Sequence, residues 1–224
     1  MKEIAIGLSV TLNVIILAIV IWVLSGSALN LLISLAAAPS YERWVSQFEV
    51  IDVQPGDTVF LGDSITEGGS WHELFPQSNV RNRGIGGDVT TGVIARLDQV
   101  TDGQPAQIFL MIGTNDLFGG VSQTDIVANI ITIIEKVHNA SPQTDMFVQN
   151  ILPKGKRHQE RIESLNSALE TAIAGKATWV NLYPLFLDEA GTSIDDLLSN
   201  DELHLLGQGY IVWRDAIAHL INRS

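Results

Sequence analysis

Short apolar runs alternate with helix-length amphipathic stretches along most of this chain, and that alternation limits the fold more than any other feature. The runs are Thr58–Leu61, Ile108–Ile112, Met146–Ile151 and Thr178–Leu182, with a weaker, more polar one at Asn79–Arg83. Between and after them lie Thr90–Val100, Thr124–Asn139, Arg157–Ala174 and Gly207–Asn222, in which apolar residues recur at helical spacing. Strands separated by helices and apolar on both faces need cover from two sides, so the pattern predicts an α/β fold with a parallel sheet. Pro55-Gly56-Asp57 is the turn that opens it.

The sequence ahead of that turn is of a different kind. No charged residue occurs between Ile4 and Tyr41, and Ile4–Leu24 is nearly unbroken aliphatic sequence. As a helix it would be about 30 Å long at 1.5 Å per residue, the thickness of a bilayer core. It is longer than the apolar core of a cleavable secretory signal, roughly 7–15 residues, so a retained anchor is favoured over a leader cut near Ser25-Gly26-Ser27 or Ala36-Ala37-Ala38. The expected organisation is an anchor and juxtamembrane segment at 1–38, a linker and docking helix at 39–56, and a catalytic domain at 57–224. Tyr41, Trp44, Val45 and Phe48 recur at helical spacing and form the docking face. The expected location is a single-pass membrane protein with its domain outside the cytoplasm, or a secreted one if the leader is cut.

Thirteen Lys and Arg stand against 25 Asp and Glu, a formal charge of -12, which disfavours nucleic acid and anionic surfaces as direct partners. Without cysteine there are no disulfides and no thiolate chemistry.

Ligands of open α/β sheets bind beyond the carboxyl ends of the strands. Four strings fall there: Gly62-Asp63-Ser64 after the first run, Gly84-Ile85-Gly86-Gly87-Asp88 after the second, Gly113-Thr114-Asn115-Asp116 after the third, and Asp201-Glu202-Leu203-His204 after the fifth. A serine hydroxyl becomes a nucleophile only when a base takes its proton. Of five histidines, His204 has a carboxylate three residues before it; His72 and His158 do not, and His138 and His219 lie in helix-length stretches. Asp201 could hold one ring nitrogen of His204 while the other faces Ser64. The oxyanion formed on attack needs donors: the Asn115 amide can donate where an ionised Asp116 cannot, and the Gly87 backbone amide is free of side-chain cover. Asp116 is assigned to bracing its loop, and Asp63, Glu67 and Glu73 likewise. Metal chemistry finds no His-Glu-x-x-His, no cysteine and no histidine beside His204 in sequence, so neither metal nor cofactor is expected. The glycines at 84, 86 and 87 lack the spacing of a dinucleotide fingerprint, and no glycine cluster carries a P-loop lysine.

Gly62-Asp63-Ser64-Ile65 resembles the first block of the GDSL or SGNH hydrolases, with isoleucine in place of the leucine. The remaining signature residues of that family match Gly87, Asn115, and Asp201 with His204, over roughly Asp57 to the end of the chain. The string from Gly84 to Thr91 is most similar to the branch containing the platelet-activating-factor acetylhydrolase catalytic subunits. The resemblance implies a flavodoxin-like three-layer α/β/α sandwich with a five-stranded parallel sheet. It also implies an oxyanion hole built from the amides of Ser64 and Gly87 with the Asn115 side chain. The expected activity is that of a serine ester hydrolase acting on a small-molecule, lipid or glycan ester, such as a lysophospholipase or O-acetylesterase. The alternatives are a tethered carbohydrate- or lipid-binding module, or an acyltransferase using the same residues. Trp71, His72, Leu74, Phe75, Phe118 and the acidic stretch Asp188–Asp201 are expected to frame the mouth.

Overall fold

The computed structural model describes residues 27–221, with side chains from residue 38 onward. The chain divides into two compact units, Met1–Arg43 and Trp44–Ser224. The expected membrane span Ile4–Leu24 lies outside the described residues. Among the described residues no helix is long and apolar enough to cross a membrane. The first described element is the helix Ser27–Val50.

Within the second unit, the end of that helix packs against the domain. Phe48 is buried, its ring meets Trp44 at 5.4 Å, and the Arg83 guanidinium lies 4.6 Å over it. Gln99 donates to the Val45 carbonyl. The turn at Pro55-Gly56 follows, with Gly56 at φ 91° in the left-handed region that a side chain would disfavour.

Five parallel strands then form one sheet in the order β2-β1-β3-β4-β5: β1 Thr58–Gly62, β2 Val80–Gly84, β3 Gln107–Met111, β4 Asp145–Gln149 and β5 Thr178–Val180. Every strand runs the same way, so all the loops that follow strands emerge at one rim. The order reverses direction between β1 and β3, which opens a crevice between the loops after them.

Alternation along the strands sorts the core into two chemistries. Val59, Leu61, Ile108, Leu110, Met146 and Val148 face an aliphatic layer made by the helices Thr90–Ala95, Gln123–Ala140 and Gln159–Ile173. Phe60, Phe109 and Phe147 face the other way, against Trp71, Trp213 and Ile217. Phe60 pairs with Phe109, and Phe109 with Phe147, in register across β1, β3 and β4. Their rings are therefore stacked at 5.3 and 4.4 Å, and Trp71 continues the stack 3.9 Å from Phe60. The helix Gly207–Ile217 closes this aromatic layer, with Trp213 Nε1 donating to Gln149 Oε1 at 2.6 Å.

Two expectations shift in detail, and a third is met. The helix expected over Thr90–Val100 is two pieces, Thr90–Ala95 and Asp98–Thr101, parted at Arg96, whose side chain turns under the strand ends. The polar run expected as a weak strand is the edge strand β2, whose Asn82 uses its amide on the carbonyls of Glu67 and Gly69. Trp71 and Phe75 belong to the core and not to the mouth, because both are buried in the aromatic stack.

Candidate active site

Ser64 begins a one-turn helix, Ser64–Glu67, directly after β1. Asp63 caps it by accepting from the Ile65 amide at 3.0 Å. Glycine is needed on both sides of this turn. A Cβ at Gly62 would strike the Met111 carbonyl and Thr66 Oγ1, and one at Gly84 would strike the Glu67 amide nitrogen. The turn that carries Ser64 is thereby pressed against the ends of β2 and β3.

His204 comes from the long excursion between β5 and the last helix. Leu198 and Leu205 anchor the two sides of its tip in the core, and Leu206 N donates to Leu198 O at 2.8 Å. At the tip, Asp201 Oδ1 accepts from the amides of Leu203 at 2.9 Å and His204 at 2.7 Å, and Glu202 sits at φ 61°. The other oxygen, Oδ2, lies 2.7 Å from His204 Nδ1. The far ring nitrogen, Nε2, lies 3.0 Å from Ser64 Oγ, across 140 residues of sequence. Partial burial pushes the Asp201 carboxyl up, but the hydrogen bonds from the His204 ring and the two amides outweigh it and hold the group down at about 2. An ionised Asp201 fixes the proton of His204 on Nδ1, leaving Nε2 as the acceptor that faces the serine hydroxyl. Tyr210 of the closing helix donates to the Ile65 carbonyl at 2.9 Å and so joins the histidine-bearing segment to the turn that carries Ser64.

The residues expected as oxyanion donors lie in the loops after β2 and β3. Asn115 lies in the first turn of the helix Thr114–Gly119 that follows β3. Its amide donates one proton to the Asp88 carbonyl at 2.9 Å, which leaves the second N–H for a ligand. Gly87 is exposed at φ 78°, and nothing stands within 4 Å of where its Cβ would be. A Cβ at Gly86 would lie 2.9 Å from Glu67 Oε2 and 3.9 Å from Ser64 Cβ, which puts this loop beside Ser64. Asp116 braces its loop as expected, accepting from the Thr90 amide at 2.9 Å at the start of the earlier helix Thr90–Ala95.

One part of the site had no signal in the sequence. Arg96 and Asp88 form an ion pair at 2.8 Å, with side chains 3% and 1% exposed, and Arg96 Nη2 also donates to the carbonyls of Gly62 and Arg83. It thus ties the carboxyl ends of β1 and β2 to the residue that holds the Asn115 amide. Asp63, 1% exposed, has no such cation. Burial, with the Asp88 and Asp116 carboxylates nearby, pushes it up to about 7. No group of three or more metal-ligating side chains is found among the described residues. A cavity of about 480 Å³ lined by Phe48, Asp52, Asp98 and Gln104 lies among the loops that precede β1 and β3, on the rim opposite to Ser64.

A hydroxyl, an imidazole held by a carboxylate, and convergent amide donors at the switch point of a parallel sheet are equipped for acyl transfer to and from an ester. Residues 60–212 match the model of the GDSL-like Lipase/Acylhydrolase family, and the chain belongs to that family of ester-hydrolysing enzymes. Platelet-activating factor acetylhydrolase IB subunit alpha1 of Homo sapiens is 31% identical over 171 residues, covering 71% of this chain and 72% of that protein. The alpha2 subunit of Rattus norvegicus is 28% identical over 187 residues, covering 75% and 79%. Among solved structures, a GDSL-like lipase from Bacteroides thetaiotaomicron superposes with a TM-score of 0.71 at 23% identity, covering 80% of this chain and 96% of that one. The acetyl xylan esterase AlAXEase superposes with a TM-score of 0.66 at 18% identity, covering 74% and 100%. At these identities the two likenesses bear on the fold alone.

Proposed function

We propose that this protein hydrolyses carboxylic esters through an acyl-enzyme on Ser64. Ser64 Oγ bonds to the acyl carbon as His204 Nε2 takes its proton. Asp201 holds Nδ1–H and balances the charge of the imidazolium. The carbonyl oxygen, now an oxyanion, is met by the amides of Ser64 and Gly87 and the free N–H of Asn115. Collapse of the tetrahedral intermediate breaks the bond to the alcohol, which leaves with the proton from His204. Water, deprotonated by the same imidazole, then releases the acid and restores Ser64. None of these steps calls on a cofactor.

The observation that carries this reading is the contact of 3.0 Å between Ser64 Oγ and His204 Nε2, with Asp201 on the opposite ring nitrogen. The acyl group is acetyl or another short chain, a reading supported by the 31% identity to subunits named as acetylhydrolases. The side chains of His204 and Asp201 are 47% and 48% exposed, which gives a bulky alcohol half access to the reacting atoms. A lysophospholipid-like ester and an O-acetylated glycan both meet that description. Ile4–Leu24 is proposed as a membrane anchor that holds the domain outside the cytoplasm, on the strength of its composition. Protease accessibility of the domain in intact cells tests that placement, and full protection until lysis rules it out.

The test of the chemistry is a p-nitrophenyl ester series from acetate upward, run beside a fluorophosphonate probe. Turnover should be greatest on short chains, and the probe should label Ser64 stoichiometrically. Ser64→Ala should abolish labelling and cost up to about 10⁶ in kcat. Esterase activity that persists in Ser64→Ala removes the mechanism. Transfer of the acyl group to a sugar in place of water would make the enzyme a transferase.

A further inference from the structure

The chain is acidic, yet its basic residues are not evenly spread. Four of the thirteen, Lys154, Lys156, Arg157 and Arg161, fall within eight residues after β4, together with His158 and a single acidic residue, Glu160. A charge run is ordinarily a solvated face, but this one is built around an aromatic ring on the helix that carries Asn115. Lys154 Nζ lies 4.3 Å over the centre of Phe118, Arg161 Cζ lies 5.8 Å from it, and the His158 ring meets its edge at 4.6 Å. Phe118 is three residues after Asn115 in the helix Thr114–Gly119, so it shares a face with the oxyanion donor one turn away.

The cluster also abuts the histidine loop. The Glu202 carboxylate stands where a Cβ at Gly155 would be, and Ile194 N donates to the Lys154 carbonyl at 3.2 Å. Three carboxylates lie nearby: Asp201, which is engaged by His204, and Glu202 and Glu160. None of them approaches within 4.0 Å of the charged nitrogens of Lys154, Arg157 or Arg161 among the described residues. Arg81, Arg96 and Arg214, by contrast, are all paired. Arg157 Nε donates to His158 Nε2 at 2.8 Å, which requires a neutral imidazole there, and the Arg157 side chain is exposed. Burial, and then the Arg157 charge, hold the Lys154 ammonium below the usual lysine range. A ligand anion would relieve that cost.

We propose that Lys154 and Arg161, held over Phe118, and the neighbouring Arg157 form an anion subsite that selects esters whose alcohol half carries a phosphate or carboxylate. The proposal rests on the ester hydrolase reading of Ser64 and names its substrate class. Arginine forks suit both oxyanions, and the Phe118 ring supplies an apolar shelf for the carbon between the anion and the ester. The anion could belong to a phospholipid headgroup or to an acidic sugar.

Two matched pairs of acetyl esters separate these sources. One is 1-acetylglycerol 3-phosphate against 1-acetylglycerol. The other is the 4-O-acetyl ester of methyl glucosiduronate, its carboxylate free, against that of methyl glucoside. The full chain should prefer the anionic member of at least one pair in kcat/KM, chiefly through KM, and the arm that shows it names the source. Raising the salt to several times physiological strength should erode the preference, because exposed charges are screened. In Arg157→Glu/Arg161→Glu the ratio of anionic to neutral kcat/KM should fall about tenfold or more, the scale of one or two unit charges near 4 Å at a solvated surface. Both residues are exposed, so this variant is expected to fold. The salt titration of the unaltered protein decides the matter if it does not. Equal use of the members of both pairs, or a preference insensitive to salt, overturns the subsite while leaving the esterase standing. No turnover of any of the four esters overturns the subsite alone if p-nitrophenyl acetate is still hydrolysed, and the esterase reading with it if that ester is not.

Discussion

Arg96→Met should be among the most damaging single changes outside the reacting groups, and the structure gives its size. Methionine keeps most of the side-chain volume, so little of the loss comes from a cavity. What disappears is the guanidinium, 2.8 Å from Asp88 in a pair that is almost wholly inaccessible to water. Removing one partner of a buried ion pair leaves the other charge unpaired and costs about 3–5 kcal/mol. The carbonyl contacts add less, since Gly62 O also accepts from Ile85 N. For a domain of this size each kcal/mol lowers Tm by about 2–4 °C, so a fall of roughly 6–20 °C is expected. Urea unfolding followed by tryptophan fluorescence at neutral pH measures the loss directly. Adding Asp88→Asn removes the stranded charge, so the double variant should be more stable than Arg96→Met alone. A loss below about 1 kcal/mol, or a double variant that shows the plain sum of the two single losses, would refute the assignment of this pair as a fully buried charge couple. The same change should lower kcat on an acetyl ester, because the Asp88 carbonyl holds the Asn115 amide.

Asn115→Ala should lower kcat by about 10²–10³ with a modest change in KM, the scale of a lost oxyanion donor, and steady-state kinetics on p-nitrophenyl acetate will show it. Asp63 titrates higher in the folded chain, at about 7, than unfolded, so the folded state binds more protons between roughly pH 4 and 7 and stability should fall as pH rises through that range. Asp63→Asn keeps the cap to Ile65 and should flatten this slope in urea titrations at several pH values; an unchanged slope would place the titration elsewhere. Phe109→Ala, in the middle of the aromatic stack, should cost about 3–5 kcal/mol by the same unfolding assay, and a cost near 1 would mean that the stack closes over the gap.

The reach of sequence reasoning here follows from the range of the forces involved. The strands were legible because Val59, Leu61, Ile108 and Leu110 are apolar for a reason local to each run: each is buried on its own face. Ser64, Gly87, Asn115, Asp201 and His204 stood out as candidates because each falls in a turn whose chemistry is written in adjacent residues, and the structure brings Ser64, His204 and Asp201 into contact. The order of the strands carries no such local mark. It depends on which chain segments cross to which side, and it alone brings the loops after β1 and β3 together at the reversal. Phe60, Phe109 and Phe147 looked like generic core residues, and only the register turns them into one stack. Arg96 is the sharpest case. In the sequence it is a charged residue on a helix, which ordinarily means a solvated face, and its partner eight residues earlier is too far for a helical pair. The helix must break at Arg96 before the guanidinium can turn inward, and the break is produced by the strand ends it then binds. A residue whose local conformation is set by the tertiary contacts it makes has no signature that a linear reading could detect. The basic run at 154–161 is a milder form of the same limitation: its charge was visible, but its meaning depends on Phe118, which arrives from a different crossover.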